Sequence, residues 1–417
     1  MPQQVYPERE LEESRKDRSE LNLSNNRDQQ TRNELSEQLS QTFGPTLFVM
    51  KLAGDFFGET NLTEPRDLNS NWGNSAYCIS RFYSSFVVLA EWLLVVLGLI
   101  TLFYQGLASM NVFLFLLIPI TYYIQCASNA TICSVVLPLV KRKNTRFSQF
   151  ISGAMMTTTD LDGVKRKTLQ GLVTACFVAV MNFVCIALFS LYNGGIISKY
   201  KPWNGHSAVR VIELAPAIYG SFSWSLPVQL YCATCLVLER MFETLKKKIE
   251  SSLGTERPLT IAFVRQEHMR LCKLLQMADR VFSPILFVTV ILYIPLICVN
   301  LYQLIQSTKN WSSEAGRVSF IVYLCWSISL ASILGVLCLF GSRVNEKAHS
   351  FYETLQMCQV SAKIVEDNSE LMLFLAHVQG DGIGFSAGGL AVINKSFFLT
   401  LVGIIASYFA VLLTLPS

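Results

Sequence analysis

Residues 84–104 read SSFVVLAEWLLVVLGLITLFY, and this stretch decides the class of fold. At a rise of about 1.5 Å per residue, a helix of roughly 20 apolar residues crosses the ~30 Å hydrocarbon layer of a bilayer. A helix on the surface of a soluble domain would instead show a polar face at every turn. Here the only charge is Glu91, so the segment reads as a membrane span. Working outward, six further runs have the same character: Val112 to Val140, Leu169 to Tyr192, Ile212 to Leu238, Phe282 to Ile305, Val318 to Phe340 and Phe397 to Leu415. The expected fold is all-α and polytopic, with seven transmembrane helices. Pro119, Pro138, Pro216 and Pro227 in the second and fourth runs predict tilt or kinks.

Composition agrees. The chain of 417 residues is 51% hydrophobic and 15% charged, too apolar for a soluble surface of this size. Its net charge of +4 is small, which points away from a nucleic-acid partner. Most of the twelve cysteines lie in or beside apolar runs, where thiols behave as small hydrophobes, so no disulfide framework is expected. Cys232 and Cys235 form a C-x-x-C pair inside an apolar run with no histidine nearby, and they read as packing residues. The four histidines, His206, His268, His349 and His377, fall in loops or extramembrane helices and read as structural or solvated. Neither a cofactor nor a metal site is expected, and no catalytic constellation supports an enzyme.

The basic residues set the orientation, because cytosolic loops are enriched in Lys and Arg. The loops after the second, fourth and sixth runs hold twenty of them, against five in the loops after the odd-numbered runs. This places the N-terminus in the cytosol and the C-terminus outside, the reverse of a metabotropic, G-protein-coupled seven-helix receptor. The sequon Asn310-Trp311-Ser312 then lies in an outer loop, as a glycosylation site requires.

Five regions are expected along the chain. A polar cytosolic tail covers 1–42, and an amphipathic or re-entrant helix covers 43–58. A six-helix bundle covers 84–340, with cytosolic helices at 239–281. A cytosolic helical segment follows at 341–396, and the last span occupies 397–415. The helical segments on the inner side carry Met269, Leu271, Cys272, Leu275, Ala278 and Phe282 in one and Ala348, Phe351, Leu355 and Cys358 in the other, at spacings that give each an apolar face. They read either as surface helices or as extensions of the spans packed into an intracellular bundle.

In the last run, Thr400, Ser407 and Thr414 recur every seven residues, with Gly403 and Ala410 between them. This small, hydroxyl-bearing stripe either lets two helices approach closely or lines a narrow aqueous path around an axis shared by several subunits. In the outer halves of the third to sixth runs, Tyr192, Tyr219, Trp224, Tyr293, Tyr302, Tyr323 and Trp326 form an aromatic set able to stack on a flat ligand. The alternative is bundle packing with an interfacial aromatic belt. Asn182, Glu213 and Asn300 are the sparse polar groups nearby, and Glu91, a carboxyl at membrane depth, is a candidate functional group.

The segment from Ala348 to Leu415, with Phe385-Ser386-Ala387-Gly388-Gly389 before the last run and Ser407-Tyr408, five residues, then Thr414-Leu415 within it, resembles the C-terminal signature of the invertebrate gustatory receptor family. In that family, related to insect odorant receptors, the corresponding patterns are Phe-Thr-Ala-Gly-Gly-aromatic and Thr-Tyr, five apolar residues, Gln-Phe. The resemblance implies a chemosensory receptor acting in taste perception as a ligand-gated non-selective cation channel. It would sit in the plasma membrane of sensory neurons as a homotetramer or a heteromer with related receptors. The implied partners are a small-molecule stimulus, permeant cations and membrane lipid. The seventh helix would line the pore through Thr400, Gly403, Ser407, Val411 and Thr414. The stimulus would bind among Glu91, Tyr192, Tyr219, Trp224, Tyr293, Tyr323 and Trp326, and the cytosolic helices would anchor subunits to one another. Thr414 stands where the family has Gln. Relatives tied to light or peroxide make sensing of those stimuli the alternative reading.

Overall fold

The computed structural model describes residues 8–57, 71–105, 110–138, 145–157, 161, 163–193, 199–203, 207–252, 260–352, 365–380 and 382–414. All seven apolar runs fold as helices long and apolar enough to cross a membrane. In chain order the elements begin with α1 (Glu8–Ala53), α2 (Asn71–Gln105), α3 (Met110–Val136), α4 (Arg146–Ala154) and α5 (Val164–Asn193). They continue with α6 (Ser207–Ser252), α7 (Ile261–Lys309), α8 (Glu314–His349), α9 (Val365–Gln379), the strands β1 (Ser386–Ala387) and β2 (Ala391–Val392), and α10 (Lys395–Leu413). The second span ends earlier than its hydropathy indicates. α3 stops at Val136, because Pro138 disfavours helical geometry in the residue before it.

Helix length separates membrane from extramembrane structure. α6 has 46 residues and α7 has 49, roughly 70 Å each at ~1.5 Å per residue, more than twice the hydrocarbon thickness. The excess is charged: α6 continues through Glu239, Arg240, Glu243 and Lys246 to Lys248, while α7 begins with Arg265, Glu267, Arg270 and Lys273 before reaching Phe282. The spans therefore run on, unbroken, into a polar end of the bundle. Ion pairs from Arg343 to Glu239 at 2.7 Å and from Lys347 to Glu243 at 2.6 Å join α8 to α6 here. The partners are four residues apart on each helix, so α8 lies along α6 in register.

α6 is the hub. Its most apolar window is 89% buried, against 6% for α10 at the periphery. The second half of α1 packs on α5 and α6 by burying Phe43, Leu47, Met50 and Ala53 at spacings of three and four. Phe43 meets Phe147 and Phe150 of α4 edge-on at 5.9 and 6.4 Å. Thr145 caps α4, its hydroxyl accepting from the Ser148 amide at 3.3 Å. Leu355 and Cys358, expected on an inner helix, lie outside the described residues.

Candidate functional site: an aromatic cavity, a joint and a peripheral helix

The spans enclose a cavity with about 550 Å³ of non-atom space, part of it open to solvent, between α3, α5, α6, α7 and α8. Its wall is largely aromatic. Phe189 of α5 packs at 5.7 Å from Tyr323 and 6.0 Å from Trp326 of α8. Opposite, Tyr122 of α3 lies 6.2 Å from Trp224 of α6. Asn182 holds Tyr122 in place by donating to its hydroxyl at 2.7 Å and to Ser221 Oγ at 3.1 Å. Four polar atoms of lining residues are buried without a hydrogen-bond partner: Tyr123 Oη, Trp224 Nε1, Trp326 Nε1 and Asn300 Oδ1. A buried, unpaired polar atom is costly, so these two indole donors, one amide acceptor and one hydroxyl able to do either mark where a ligand's polar groups fit.

The structure divides the sequence-derived ligand set. Trp224, Tyr323 and Trp326 are on the cavity wall. Tyr293 stands one ring behind Trp224, at 6.3 Å and fully buried. Tyr219 instead packs on Tyr83 at 6.3 Å, Tyr192 is half exposed, and Glu91 binds Ser223 Oγ at 2.8 Å. Sequence reasoning assigned no site to Phe115, Pro119, Tyr122 and Phe189, which also line the wall. The adjacent tyrosines Tyr122 and Tyr123, in a span that also carries Phe113 and Phe115, were the available signal.

Phe385 to Gly389 form a joint between the polar end and α10. β1 and β2 pair as a hairpin, Ser386 opposite Val392. Gly388 and Gly389 make the turn at φ +63° and +73°, the left-handed region that favours glycine. A Cβ on Gly388 would also lie 2.6 Å from Phe287. The hairpin is pinned to α7: the Ser386 amide donates to Asp279 Oδ1 at 2.6 Å, the Gly388 amide to the Ser283 carbonyl and the Gly389 amide to Ser283 Oγ, both at 3.1 Å. Phe385 is buried 4.9 Å from the Tyr231 ring.

Beyond the joint, Asn394 caps α10 by accepting from the Phe397 amide at 2.8 Å. α10 rests on α7 and α8, with Leu401 its one fully buried side chain among the described residues. Thr400, Gly403, Ser407, Val411 and Thr414 all face away from the rest of the chain. The three hydroxyls donate back to their own helix, to the carbonyls of Ser396, Gly403 and Val411. On α7, Leu296 and Asn300 line the cavity, while Cys298 between them approaches the Ile405 carbonyl of α10 at 3.7 Å. Asn310 caps the other end of α7 and is exposed.

This architecture, seven helices long and apolar enough to cross a membrane with an aromatic cavity between five of them, defines a polytopic helical membrane protein with an internal candidate site. Residues 47–414 match the model of the 7tm Chemosensory receptor family, and the chain belongs to that family. No curated protein matches it in sequence. Among solved structures it is similar to the insect olfactory receptor OR5 from Machilis hrabei in complex with eugenol, at 14% identity and a TM-score of 0.65, covering 90% of this chain and 98% of that one. A second structure of the same receptor matches at 15% identity and a TM-score of 0.66, covering 89% and 96%. At this identity the likeness concerns the fold.

Proposed function

We propose that this chemosensory receptor is itself a ligand-gated, non-selective cation channel. The stimulus binds in the aromatic cavity, and α10 lines the pore of a homotetramer or of a heteromer with related receptors. The observation that carries this reading is on α7, where Leu296 and Asn300 face the cavity and Cys298 touches α10. A ligand that moves one face of this helix moves the seat of the peripheral helix on the other. Two unpaired indole N–H donors, one tyrosine hydroxyl and one amide acceptor in an apolar wall favour a small, flat, weakly polar stimulus carrying at least one acceptor and one donor. Eugenol, bound by the structurally similar olfactory receptor, belongs to that chemical class. The exposure of Thr400, Ser407 and Thr414 on the outside of the described chain supports a hydroxyl-lined path once subunits surround an axis.

By the distribution of Lys and Arg, the polar end faces the cytosol and Asn310 faces outside in the plasma membrane. Expression with current recording against phenolic odorants, sugars, bitter compounds, peroxide and ultraviolet light tests the function. A stimulus-evoked cation current supports it, and stimulus binding with no current in the assembled protein removes it. An epitope at the C-terminus tests orientation: labelling of intact cells supports the channel topology, and labelling only after permeabilisation contradicts it.

A further inference from the structure

Of the four histidines in the chain, three meet at the polar end of the bundle, far from the cavity. His268 of α7 is fully buried, with its ring 5.9 Å from that of His377 of α9. Cys272, one helical turn beyond His268 on the same face, is buried beside them. One ligand-capable atom from each of His268, Cys272 and His377 lies within 4.8 Å of those of the other two. From this geometry we infer a zinc site formed by His268, Cys272 and His377, which ties α9 to α7.

The donor chemistry is already set. His268 Nε2 lies 3.1 Å from the Ala348 carbonyl oxygen, which can only accept, so Nε2 carries the proton and Nδ1 keeps its lone pair. That lone pair is 3.6 Å from Cys272 Sγ. Zn–S of ~2.3 Å and Zn–N of ~2.0–2.1 Å at a tetrahedral angle require an S···N separation of about 3.6 Å. A backbone carbonyl that fixes the tautomer of a ligating imidazole is also the usual outer-shell support of such sites. His377 Nε2 is buried with no hydrogen-bond partner, a donor atom left over by the fold itself. His349 steadies that turn, its Nδ1 bonding the carbonyl of Val378, the residue after His377.

Two imidazoles and a thiolate select a borderline-soft ion over Ca²⁺ or Mg²⁺, which require oxygen ligands. Binding releases the Cys272 thiol proton to solvent, leaves both imidazoles neutral, and keeps the fourth position for water. Because α9 leads directly into the hairpin and α10, the ion would brace the segment on which the peripheral helix hangs.

The full-length protein, purified in detergent, tests this by metal analysis, Co²⁺ substitution and thermal unfolding with and without Zn²⁺. About one Zn²⁺ per chain is expected, with a thiolate-to-cobalt charge-transfer band and a rise in Tm on adding the ion. Cys272→Ser and His377→Gln should each weaken binding by roughly 100-fold or more and abolish the Tm response, while Cys232→Ser binds like the wild type. If either ligand variant fails to fold, the cobalt spectrum of the wild type decides by the presence or absence of the thiolate band. Folded wild-type protein that takes up no Zn²⁺, or equal binding by both ligand variants, overturns the site.

Discussion

Asp55 and Glu91 converge on one hydroxyl: Ser223 Oγ lies 2.5 Å from Asp55 Oδ1 and 2.8 Å from Glu91 Oε1, with the Tyr219 carbonyl a third acceptor at 3.1 Å. A serine has a single proton to donate. It cannot serve two carboxylates and a carbonyl together, so one carboxyl supplies its own proton to the contact. Both carboxyl side chains are buried. The contact joins the end of α1, the middle of α2 and the hub helix α6 at one point.

This arrangement predicts different outcomes for two substitutions at Glu91. Glu91→Gln keeps a donor and an acceptor in place and should change stability by less than about 1 kcal/mol. Glu91→Ala leaves a hole and a less satisfied Asp55 and should cost about 1–3 kcal/mol. Thermal unfolding of the purified protein reads the difference. Equal losses for the two variants would contradict the shared-proton contact.

At the joint, the Ser386 amide and hydroxyl both bind the Asp279 carboxylate, and hydrogen bonds to charged groups contribute about 1.5–3 kcal/mol. Asp279→Ala should cost that much and loosen α10 from α7. Gly388→Ala meets both a strained φ and Phe287 and should cost about 1–3 kcal/mol. Hydrogen exchange is the measurement of choice. Faster exchange of the Ser386, Gly388 and Gly389 amides, with the α3 and α6 amides unchanged, is the expected pattern.

In the cavity, Asn300→Leu removes an unpaired acceptor and Trp326→Phe removes an unpaired donor. For a stimulus that uses those groups, each hydrogen bond is worth about 0.5–1.5 kcal/mol, so half-maximal concentrations should rise roughly 2- to 10-fold. Tyr192→Phe, at an exposed position, should leave the dose–response curve unchanged. Matching shifts from all three variants would place the stimulus elsewhere.

The polar end has a predictable acid sensitivity. The hydrogen bond from Lys347 holds the Glu243 carboxyl below its ordinary range, with partial burial opposing. A carboxyl whose folded value lies below its unfolded value contributes stability above the unfolded value, and loses it as pH falls through the folded one. The side chain is 31% exposed, which limits the contribution to about 1 kcal/mol. Glu243→Gln should flatten the acid limb of a Tm-versus-pH curve and lower Tm slightly at neutral pH.

The spans were legible in the sequence because some twenty consecutive apolar residues have few structural solutions. The apolar face of the first part of α7 was legible by periodicity, since Leu271, Cys272, Leu275, Ala278 and Phe282 are all buried, while spacing alone left a surface helix and an extension of the span both open. Met269 on the same expected face is 49% exposed, because a helical face read from spacing alone is uncertain by one residue step. Trp224, Tyr323 and Trp326 stood out by residue type. Phe115 and Phe189 could not, because phenylalanine occurs 27 times in the chain and nothing local separates a cavity wall from a lipid-facing surface. Long-range polar contacts were invisible. Asp55 lies within the segment expected as an amphipathic or re-entrant helix, and neither it, Asp279 nor His377 carries any sequence mark of its partner. The Gly388-Gly389 pair was recognised by resemblance, and its physical reason emerged only with the left-handed backbone and the closeness of Phe287.

Current through α10 is the most direct test of the channel reading. Ser407→Cys, expressed in cells with normal surface levels and exposed to a small charged thiosulfonate, should lose its stimulus-evoked current irreversibly while the wild type, with its native cysteines, is unaffected. A Ser407→Cys receptor that is shown to react with the reagent and conducts unchanged would contradict a pore lined by α10.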